Sequence, residues 1–466
     1  MSGKYVTTRR HLLSGAAALA AAAAIPVRAL AQAGSGAPSR GFFLGSDFGL
    51  VSNRPPGDTD PAAYDQSQAL QEAVNAAAET GVPLFLAGGS YAVGNIELPS
   101  WITIYGVRGA TWLIAVGPDP IFRAEQKSRI TLRDLRLDGA PNATANPDTG
   151  LLTFIGCEDI ELDALSLWDG IGNGIVLDRT SGRIENLSIQ GFAESGIFAV
   201  DNFDLDISRN RIFNCGNGGI RIWARETGGH DGTIVARNDI YDIRSDGGGN
   251  GQNGNGINVF RADAVTVSGN RLRNCAFSAI RLNATNDTVV AGNTCLESGE
   301  VAIFSEFAFS GSVISDNIVD GAAQGISITN FDQGGRLATC SGNIVRNIYP
   351  NSRVNPDTSP AGIFAEADAI ISGNVVEAVP GIGIGAGWGP YLRDVSVTGN
   401  LVRDVHVGIG VSVAEGAGKA LVANNRISGA RAAGIAGLAW WDTVSDDLVR
   451  DAAKFPNVAL SGNSVG

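Results

Sequence analysis

The sequence predicts an all-β protein, a single-stranded right-handed parallel β-helix with an N-terminal capping helix. Asparagine turns recur along most of the chain, most of them about 23 to 32 residues apart, and such a period is typical of solenoid repeats. Apolar residues flank each turn at fixed offsets, and a strand that usually begins with Gly-Ile follows. Each repeat therefore predicts one coil of short strands that bury an alternating face.

The turns share an asparagine with an apolar residue three positions before it and another two positions after it. The asparagines are Asn210, Asn238, Asn270, Asn293, Asn317, Asn343, Asn374, Asn400, Asn425 and Asn463. The Gly-Ile strands begin at Gly219, Gly256, Gly325, Gly362, Gly408 and Gly434.

The asparagines themselves are expected to be structural. Asparagine is the main residue other than glycine that tolerates a left-handed backbone, so we expect it at the left-handed position of each turn. Stacked coil on coil, the side-chain amides can hydrogen-bond along the rod as a ladder. This explanation needs no catalytic role for them.

The five cysteines follow the same repeat, with one exception. Cys295 and Cys340 occupy the two apolar positions, and Cys215 and Cys275 lie five residues after an asparagine, where other coils have isoleucine or valine. We expect these four to be small buried hydrophobic residues. Cys157 has no place in the repeat, and the sequence leaves its state open. No disulfide or metal site is predicted.

The capping helix is predicted over residues 66–77. Apolar residues at Ala69, Leu70, Ala73, Val74 and Ala77 form one face at helical spacing. A helix with such a face, laid across the first coil, would cover the open core that every solenoid has at its end.

The first 33 residues predict an export signal. Arg9-Arg10 precede the apolar run 12–25, and Ala31-Gln32-Ala33 offers a signal peptidase site. The paired arginines resemble a twin-arginine (Tat) signal, which implies a folded protein in the periplasm or outside the cell. An ordinary Sec signal is the alternative. Because the run is too short to cross a bilayer, we expect no membrane span after cleavage.

The chain then divides into four parts: the signal peptide (1–33), a Gly/Ser/Pro linker (34–41), the N-terminal cap with the first coils (42–110) and the β-helix repeats (111–466). It carries 34 basic and 47 acidic residues, a formal net charge of −13. An acidic rod argues against nucleic acid or an anionic membrane as its main partner.

The start of the chain resembles that of pectate-lyase-like and phage-tailspike-like β-helix proteins. These open with a D-F-G-A motif, a D-T-x-A-I-Q-x-A helix and a P-x-G-x-Y strand; here the pieces read Asp47-Phe48-Gly49-Leu50, 66–73 and 87–91. With the signal, the chain is similar to the uncharacterised Tat-exported repetitive proteins of the pectin-lyase-like superfamily. The resemblance implies fold and export, but no activity, so function must be argued from the site.

Catalytic motifs of known β-helix enzymes are absent from the sequence. It has no N-T-D motif with downstream D-D and G-H-G, no D-P-H-D, and no run of aspartates suited to Ca²⁺. No cofactor and no metal are therefore expected.

A groove is predicted along the outer face of the Gly-Ile strands, because the long insertions fall on both sides of them. These are 244–255 and 349–361 before the strands, and 225–232, 331–337, 386–393 and 440–456 after them. Loops on a rigid scaffold are where function tends to sit. Because side chains alternate between the two faces of a strand, every second residue of the Gly-Ile strands points outward and forms the floor of the groove. Stacked coil on coil, these residues form two columns: Arg221, Asn258, Arg281, Phe304, Ser327 and Phe364, then Trp223, Phe260, Asn283, Glu306, Thr329 and Glu366.

Aromatic, amide and charged groups on such a strip suit a sugar chain. We predict substrate binding by Arg221, Trp223, Asn258, Phe260, Asn283 and Phe304, with the arginines favouring acidic sugars. The catalytic candidates are Glu306, Glu366, Arg281 and His230. The two glutamates lie two coils apart, near the spacing of an inverting pair; alternatively, Glu306 and Arg281 form a plain surface ion pair.

The remaining candidates have structural explanations. His406 is expected to be a solvated turn residue. Trp441, Val444 and Leu448 have helical spacing, and we expect the segment 438–453 to pack over the last coils rather than bind sugar.

The function predicted is an exported β-helix protein whose partner is a polysaccharide or envelope glycan. Its enzymatic form would be a lyase, glycoside hydrolase or epimerase. The alternative is a non-catalytic periplasmic binding or scaffold protein that presents loops on a rigid rod.

Overall fold

A computed structural model describes residues 38, 40–52, 61–139, 149–249, 251–329 and 334–466. The predicted signal peptide and most of the predicted linker lie outside these residues. Within them the chain forms a right-handed parallel β-helix, as predicted. Each coil contributes a strand to each of three parallel faces, which we call the first, second and third face in chain order.

The first face lies before the asparagine turns and is a sheet of 16 strands. Its strands are Phe43–Leu44, Leu84–Phe85, Ile102–Tyr105, Ser128–Arg133, Glu158–Asp163, Gly182–Glu185, Leu205–Ser208, Ile234–Ala236, Thr266–Ser268, Asn286–Ala291, Ser310–Ser315, Arg336–Ser341, Ala367–Ser372, Arg393–Thr398, Ala420–Ala423 and Val458–Ser461.

The second face follows the turns, and the third face carries the Gly-Ile strands. Strands of the second face alone are Gly89–Val93, Thr111–Ala115, Arg136–Asp138, Ser166–Gly170, Ser188–Phe192, Arg211–Phe213, Asp239–Ile243, Arg271–Cys275, Ile344–Ile348 and Ser464–Val465. Strands of the third face alone are Ile96–Glu97, Phe122–Glu125, Gly150–Ile155, Asn173–Asp178, Ser195–Val200, Gly218–Trp223, Asn255–Phe260, Ile280–Asn283 and Ala361–Ala365. Long strands that run through both are Thr294–Glu306, Ile318–Thr329, Val375–Ala386, Leu401–Ser412 and Arg426–Ala439.

The N-terminal end is covered by the helix Ser67–Thr80. Its buried residues Leu70, Ala73, Val74 and Ala77 belong to the core that runs along the rod, so the predicted apolar face is the one that packs. Single 3-10 turns lie at Gly45–Phe48, Pro61–Tyr64, Gly389–Tyr391 and Ala452–Lys454.

The asparagine turns stack into a ladder. The backbone N–H and side-chain Nδ2 of Asn238 both donate to Oδ1 of Asn270, at 2.9 and 3.0 Å, and the same Nδ2 donates to the carbonyl of Ile207 at 2.9 Å. The pattern continues between successive asparagines from Asn210 to Asn463. Each carboxamide thus satisfies buried backbone groups and its neighbour together.

The backbone prediction for these asparagines was wrong. The left-handed residue is the one before each ladder asparagine, for example Arg237 with φ of 57° and Gly269 with φ of 64°. The asparagine is selected by the bonds of its side chain, and the preceding position is the one that favours glycine.

The glycine of each Gly-Ile strand permits close contact between coils. A Cβ atom on Gly256 would lie 2.6 Å from Cδ2 of Leu272 and 2.8 Å from the carbonyl oxygen of Ala279. This crowding explains why the strand begins with a residue that has no side chain.

All five cysteines are free and buried. Cys157, which the sequence left open, lies in the core with its Sγ 3.5 Å from the carbonyl oxygens of Ala124 and Ile155. Burial raises the pKa of the Cys215, Cys275 and Cys340 thiols to about 12.

The C-terminal segment forms a hairpin rather than a helix. Asp442–Ser445 pairs antiparallel with Arg426–Ala439, and Leu448 is buried in the core. The segment packs over the last coils as expected, while Trp440 and Trp441 remain 45% and 53% exposed.

Candidate functional site

The outer side of the third face carries the predicted columns. Strand register places Asn258 between Arg221 and Arg281, and Phe304 next to Arg281 on the following coil. Trp223, Phe260, Asn283, Glu306 and Thr329 form the neighbouring column, and Glu366 follows Ala365, which pairs with Ile328. The alternation of side chains across these strands therefore gives the surface of the groove residue by residue.

Four cavities follow one another along this face of the rod, and each shares lining residues with the next. We number them in the direction of the chain: the first, of about 580 Å³, shares Trp223 and Phe260 with the second, of about 260 Å³. The second shares Arg281 with the third, of about 390 Å³. The third shares Ser359 and Trp441 with the fourth, of about 470 Å³. Together they form one extended groove.

Five of the six loops that the sequence predicted as walls line this groove; the described residues 334–337 of the loop 331–337 line none of the four cavities, and 331–333 lie outside the described residues. Arg225 borders the first cavity, and Gly251 and Gln252 border the second. The third is closed by 355 and 357–359 of the long Pro-rich loop, by Trp388 and by Trp441. Loops of different coils thus converge on the same strip.

Aromatic side chains stand at two places in the groove. Trp223 packs edge-on against Phe198 and Phe260, with ring centroids 5.2 and 5.7 Å away. Trp388 lies between Trp440 and Trp441, with centroids at 5.3 and 4.5 Å. These clusters flank the second and third cavities.

Between the aromatic clusters lies a buried ion network centred on Arg281. Its Nε and Nη2 donate to the two carboxylate oxygens of Glu306 at 2.6 and 3.0 Å, and its Nη1 donates to Glu300 at 3.2 Å. Asn283 and Asn355 add bonds to Glu306 and Glu300, at 2.7 and 2.8 Å. Each nitrogen atom of this guanidinium therefore donates a hydrogen bond to a carboxylate of the protein.

The surface-ion-pair alternative for Arg281 and Glu306 was wrong. Arg281 is 8% exposed and Glu306 is 2% exposed, so the pair is desolvated. Desolvation also raises the pKa of Glu300, although Arg281 and the bond from Asn355 oppose the shift. Removing one partner of such a network leaves an uncompensated buried charge, so the three side chains form one unit.

Arg221 is held by the protein in the same way. It is 7% exposed, and its Nη2 donates to the carbonyl oxygen of Asn217 and to Oδ1 of Asn253 at 2.9 and 2.8 Å. Burial lowers the pKa of its guanidinium. The bond to Asn253 connects Arg221 to the glycine-rich loop that borders the second cavity.

The remaining candidates are placed differently. Glu366 is buried and lines the third cavity together with Glu306 and Phe304. His230 is exposed in the short strand Gly229–His230, which pairs with Ala262–Asp263. His230 is not among the residues that line the four cavities, so the structure does not bring it to the other candidates. His406 lines the fourth cavity.

Sequence reasoning missed Glu300, Asn355, Gln324, Trp388 and Trp441 as site residues, all of which line the third cavity. Only the tryptophans carried a signal, because exposed tryptophans in long insertions are unusual in a repeat whose other turns are small and polar.

Comparison with known proteins extends this description. Residues 169–362, less than half of the chain, match the family model described as "Periplasmic copper-binding protein (NosD)". No curated protein matches the chain significantly.

Among solved structures, the surface adhesin PfbA of Streptococcus pneumoniae is 14% identical, with a TM-score of 0.51, 87% of this chain covered and 95% of that chain. The pre-mature gene product 12 of bacteriophage phi29 is 14% identical, with a TM-score of 0.50, 85% of this chain and 55% of that one. These likenesses concern the fold alone, and they agree with the expected right-handed parallel β-helix.

The described residues do not fit the copper named in that family description. Copper is held by clustered cysteine, histidine or methionine side chains. Among the residues that the structure describes, no group of three or more His, Cys, Asp or Glu side chains is placed to hold a metal ion. The cysteines lie in the core with raised thiol pKa values, and His230 and His406 lie on separate parts of the surface. Within the same described ranges, no helix is long and apolar enough to cross a membrane.

Proposed function

We propose that this protein is an exported, periplasmic binding protein for a polysaccharide, which lies along the groove of the third face. The observation that carries this proposal is the row of four neighbouring cavities along one face of the rod, with aromatic and polar side chains shared between them. A chain of linked sugars needs an extended groove of this kind, whereas a single small ligand needs one closed pocket.

The aromatic clusters supply the apolar part of sugar recognition. Pyranose rings have an apolar face, and such faces pack on the rings of tryptophan, tyrosine and phenylalanine. Trp223 with Phe260, and Trp388 with Trp441, offer such faces at separate places along the groove. The two clusters lie about five coils apart, roughly 24 Å at about 4.8 Å per coil, so only a chain of several sugar units would contact both.

Polar side chains between these clusters supply the directional part. Asn258 and Asn283 line the second cavity, and Gln324 and Ser327 line the third. Amides donate and accept at once, so they can pair with sugar hydroxyl groups that do the same.

The periplasmic location is proposed on two grounds. The family model that matches residues 169–362 is described as periplasmic, and the N-terminal sequence resembles a Tat signal. Fractionation of cells that express the chain with Lys in place of Arg9 and Arg10 tests the pathway: we expect the precursor to accumulate inside the cell.

Catalysis is the second candidate, favoured by the presence of Glu306 and Glu366 in one cavity. Glu306 has both carboxylate oxygens bonded to Arg281, which suits a positioned anion better than a proton donor. Binding is therefore the better supported function. If an oligosaccharide is cleaved, Glu306→Gln and Glu366→Gln should each abolish turnover; unchanged turnover in both variants would exclude the pair.

The binding proposal is tested with a polysaccharide panel and the variant Trp388→Ala. We expect retention of at least one polysaccharide in affinity electrophoresis, and about tenfold weaker binding by the variant, because a stacking face is lost. Trp101→Ala is the matched control, since Trp101 is 61% exposed and precedes a strand of the first face. Failure to bind any polysaccharide would contradict the proposal and favour a protein scaffold.

A further inference from the structure

The third cavity is strongly acidic. Glu300, Glu306, Glu366 and Asp357 line it, and Arg281 is the single cationic side chain among its described lining residues. Three of the five N–H groups of Arg281 are bonded to Glu300 and Glu306, so its positive charge is shared with these two carboxylates. The described lining residues of the cavity therefore include four carboxylates and one guanidinium.

A second observation marks the same cavity as a ligand site. Thr329 lies in the column between Glu306 and Glu366, lines the cavity and is 6% exposed. Its Oγ1 has no hydrogen-bond partner among the described residues. A buried hydroxyl without a partner is costly, and a polar group of a bound ligand would satisfy it.

The walls of the cavity specify the shape of that ligand. Phe304, Phe364, Trp388 and Trp441 line the same space as the carboxylates, and Trp388 and Trp441 lie 4.5 Å apart between ring centroids. Aromatic faces with adjacent carboxylates suit a ring that is apolar on one side and cationic at its edge.

We infer that the third cavity selects an amino sugar with a free, protonated amino group within a polysaccharide. Its ring packs on Trp388 and Trp441, its ammonium group lies among the carboxylates, and a hydroxyl or amine reaches Thr329. This inference rests on the proposed function, since it names the sugar class that the groove prefers.

The inference reverses the expectation of acidic sugars, which depended on the arginines of the floor. Arg281 and Arg221 are both buried and bonded within the protein. A uronic acid placed in the third cavity would bring its carboxylate near the four carboxylates that line it, and like charges in a partly buried site repel strongly. An ammonium group in the same place is attracted by them.

The experiment is calorimetric titration of the mature chain at mildly acidic pH, where amino sugars are protonated. The probes are hexamers of glucosamine, N-acetylglucosamine and galacturonic acid, and hexalysine as a cation without a sugar ring. We expect the glucosamine hexamer to bind about tenfold tighter than its acetylated form, because acetylation removes the charge. Galacturonic acid should bind least.

Two variants locate the effect. Glu366→Gln should reduce the preference for the free amine severalfold, and Asp357→Asn, at an exposed loop position, provides the same test if the buried change prevents folding. Glu158→Gln is the control, since it removes the same charge from an exposed position of the first face. An unchanged preference in both groove variants would overturn the inference.

The outcomes separate this inference from the proposed function. If neutral or acidic hexamers bind as well as glucosamine and Trp388→Ala weakens them, the amino-sugar inference fails while the groove remains a polysaccharide site. If hexalysine binds as tightly as the glucosamine hexamer and is indifferent to Trp388→Ala, charge alone is responsible and the inference fails. If no hexamer binds, and no polysaccharide of the wider panel binds, the proposed function fails.

Discussion

Two lines of buried polar side chains are stacked coil on coil along the rod: the asparagine ladder, and the polar residues in the groove of the third face. In the ladder the same residue repeats, and the distance from Nδ2 of one asparagine to Oδ1 of the next stays between 2.9 and 3.0 Å. Along the groove each coil has a different residue, and the Arg281 network occurs once within the described coils.

The two lines also differ in how well their polar atoms are satisfied. Among described residues, buried side-chain atoms without a partner include Nε of Arg221 and Oγ1 of Thr329, but no atom of a ladder asparagine. The comparison teaches that a repeated polar residue is satisfied by its own neighbours in the stack, whereas an unrepeated one depends for its partners on the loops of nearby coils.

The largest expected effect is at Arg281. Replacing it with Met leaves Glu300 and Glu306 buried without their cation, so the free energy of unfolding should fall by about 3–5 kcal/mol. Chemical denaturation measures it. The triple variant with Glu300→Gln and Glu306→Gln removes all three charges and should recover most of the loss. If the triple variant is no more stable than the single one, the network is not the unit that we describe.

The next effect is at the ladder. Asn317→Ala removes the acceptor of the N–H of Asn293, one of the two acceptors of its Nδ2, and the side-chain donor to the carbonyl of Val290, so the free energy of unfolding should fall by about 3 kcal/mol. Asn463→Ala, at the half-buried end of the ladder, should cost less. Sugar binding should survive both changes; equal losses at the two positions would contradict a cooperative ladder.

A smaller effect is expected at Asp231, in the loop beside the groove. Burial raises its pKa to about 6, although the bonds to Thr233 oppose the shift. Because the folded state holds this proton more tightly than the unfolded chain, the contribution of Asp231 to stability falls as pH rises from about 4 to about 6. Asp231→Asn should therefore stabilise the protein at neutral pH, by about 2 kcal/mol, and have little effect below about pH 4. Denaturation at both pH values tests the sign.

The smallest effect on stability is expected at Trp441. The side chain is half exposed, so Trp441→Ala should lower the free energy of unfolding by less than about 1 kcal/mol. Sugar binding should weaken all the same, and a calorimetric titration of the folded variant measures it. A large loss of stability in Trp441→Ala would show that the hairpin stabilises the β-helix rather than contributing to sugar binding.

The rod and the floor of the groove follow from the sequence, because both depend on short-range rules. A fixed offset from each asparagine gives the inward residues, and alternation gives the outward ones, so Asn258, Arg281 and Phe304 were placed in one column correctly. The same offset accounted for four cysteines. It failed for the backbone of the turn, since the left-handed residue is selected by geometry and the asparagine by its side-chain bonds.

The walls of the groove do not follow from the sequence in this way. Asn355 bonds to Glu300 across 55 positions, and Ser352 donates to the carbonyl of Gly299 across 53. The loops differ in length and have no repeat that could be aligned from coil to coil. Their contacts therefore depend on the three-dimensional path of each loop, which the repeat does not predict. Trp388 and Trp441 meet for the same reason, from insertions of two different coils.

The ladder has a consequence for how such a protein can change over time. Successive asparagines are 23 residues apart at one step and 38 at another, while their bonds keep the same length. The ladder thus fixes the register of each coil, whatever the length of the loops of that coil. Selection can lengthen, shorten or exchange one insertion without disturbing the coils on either side. The residues that line the groove can therefore change one coil at a time, while the β-helix itself stays the same.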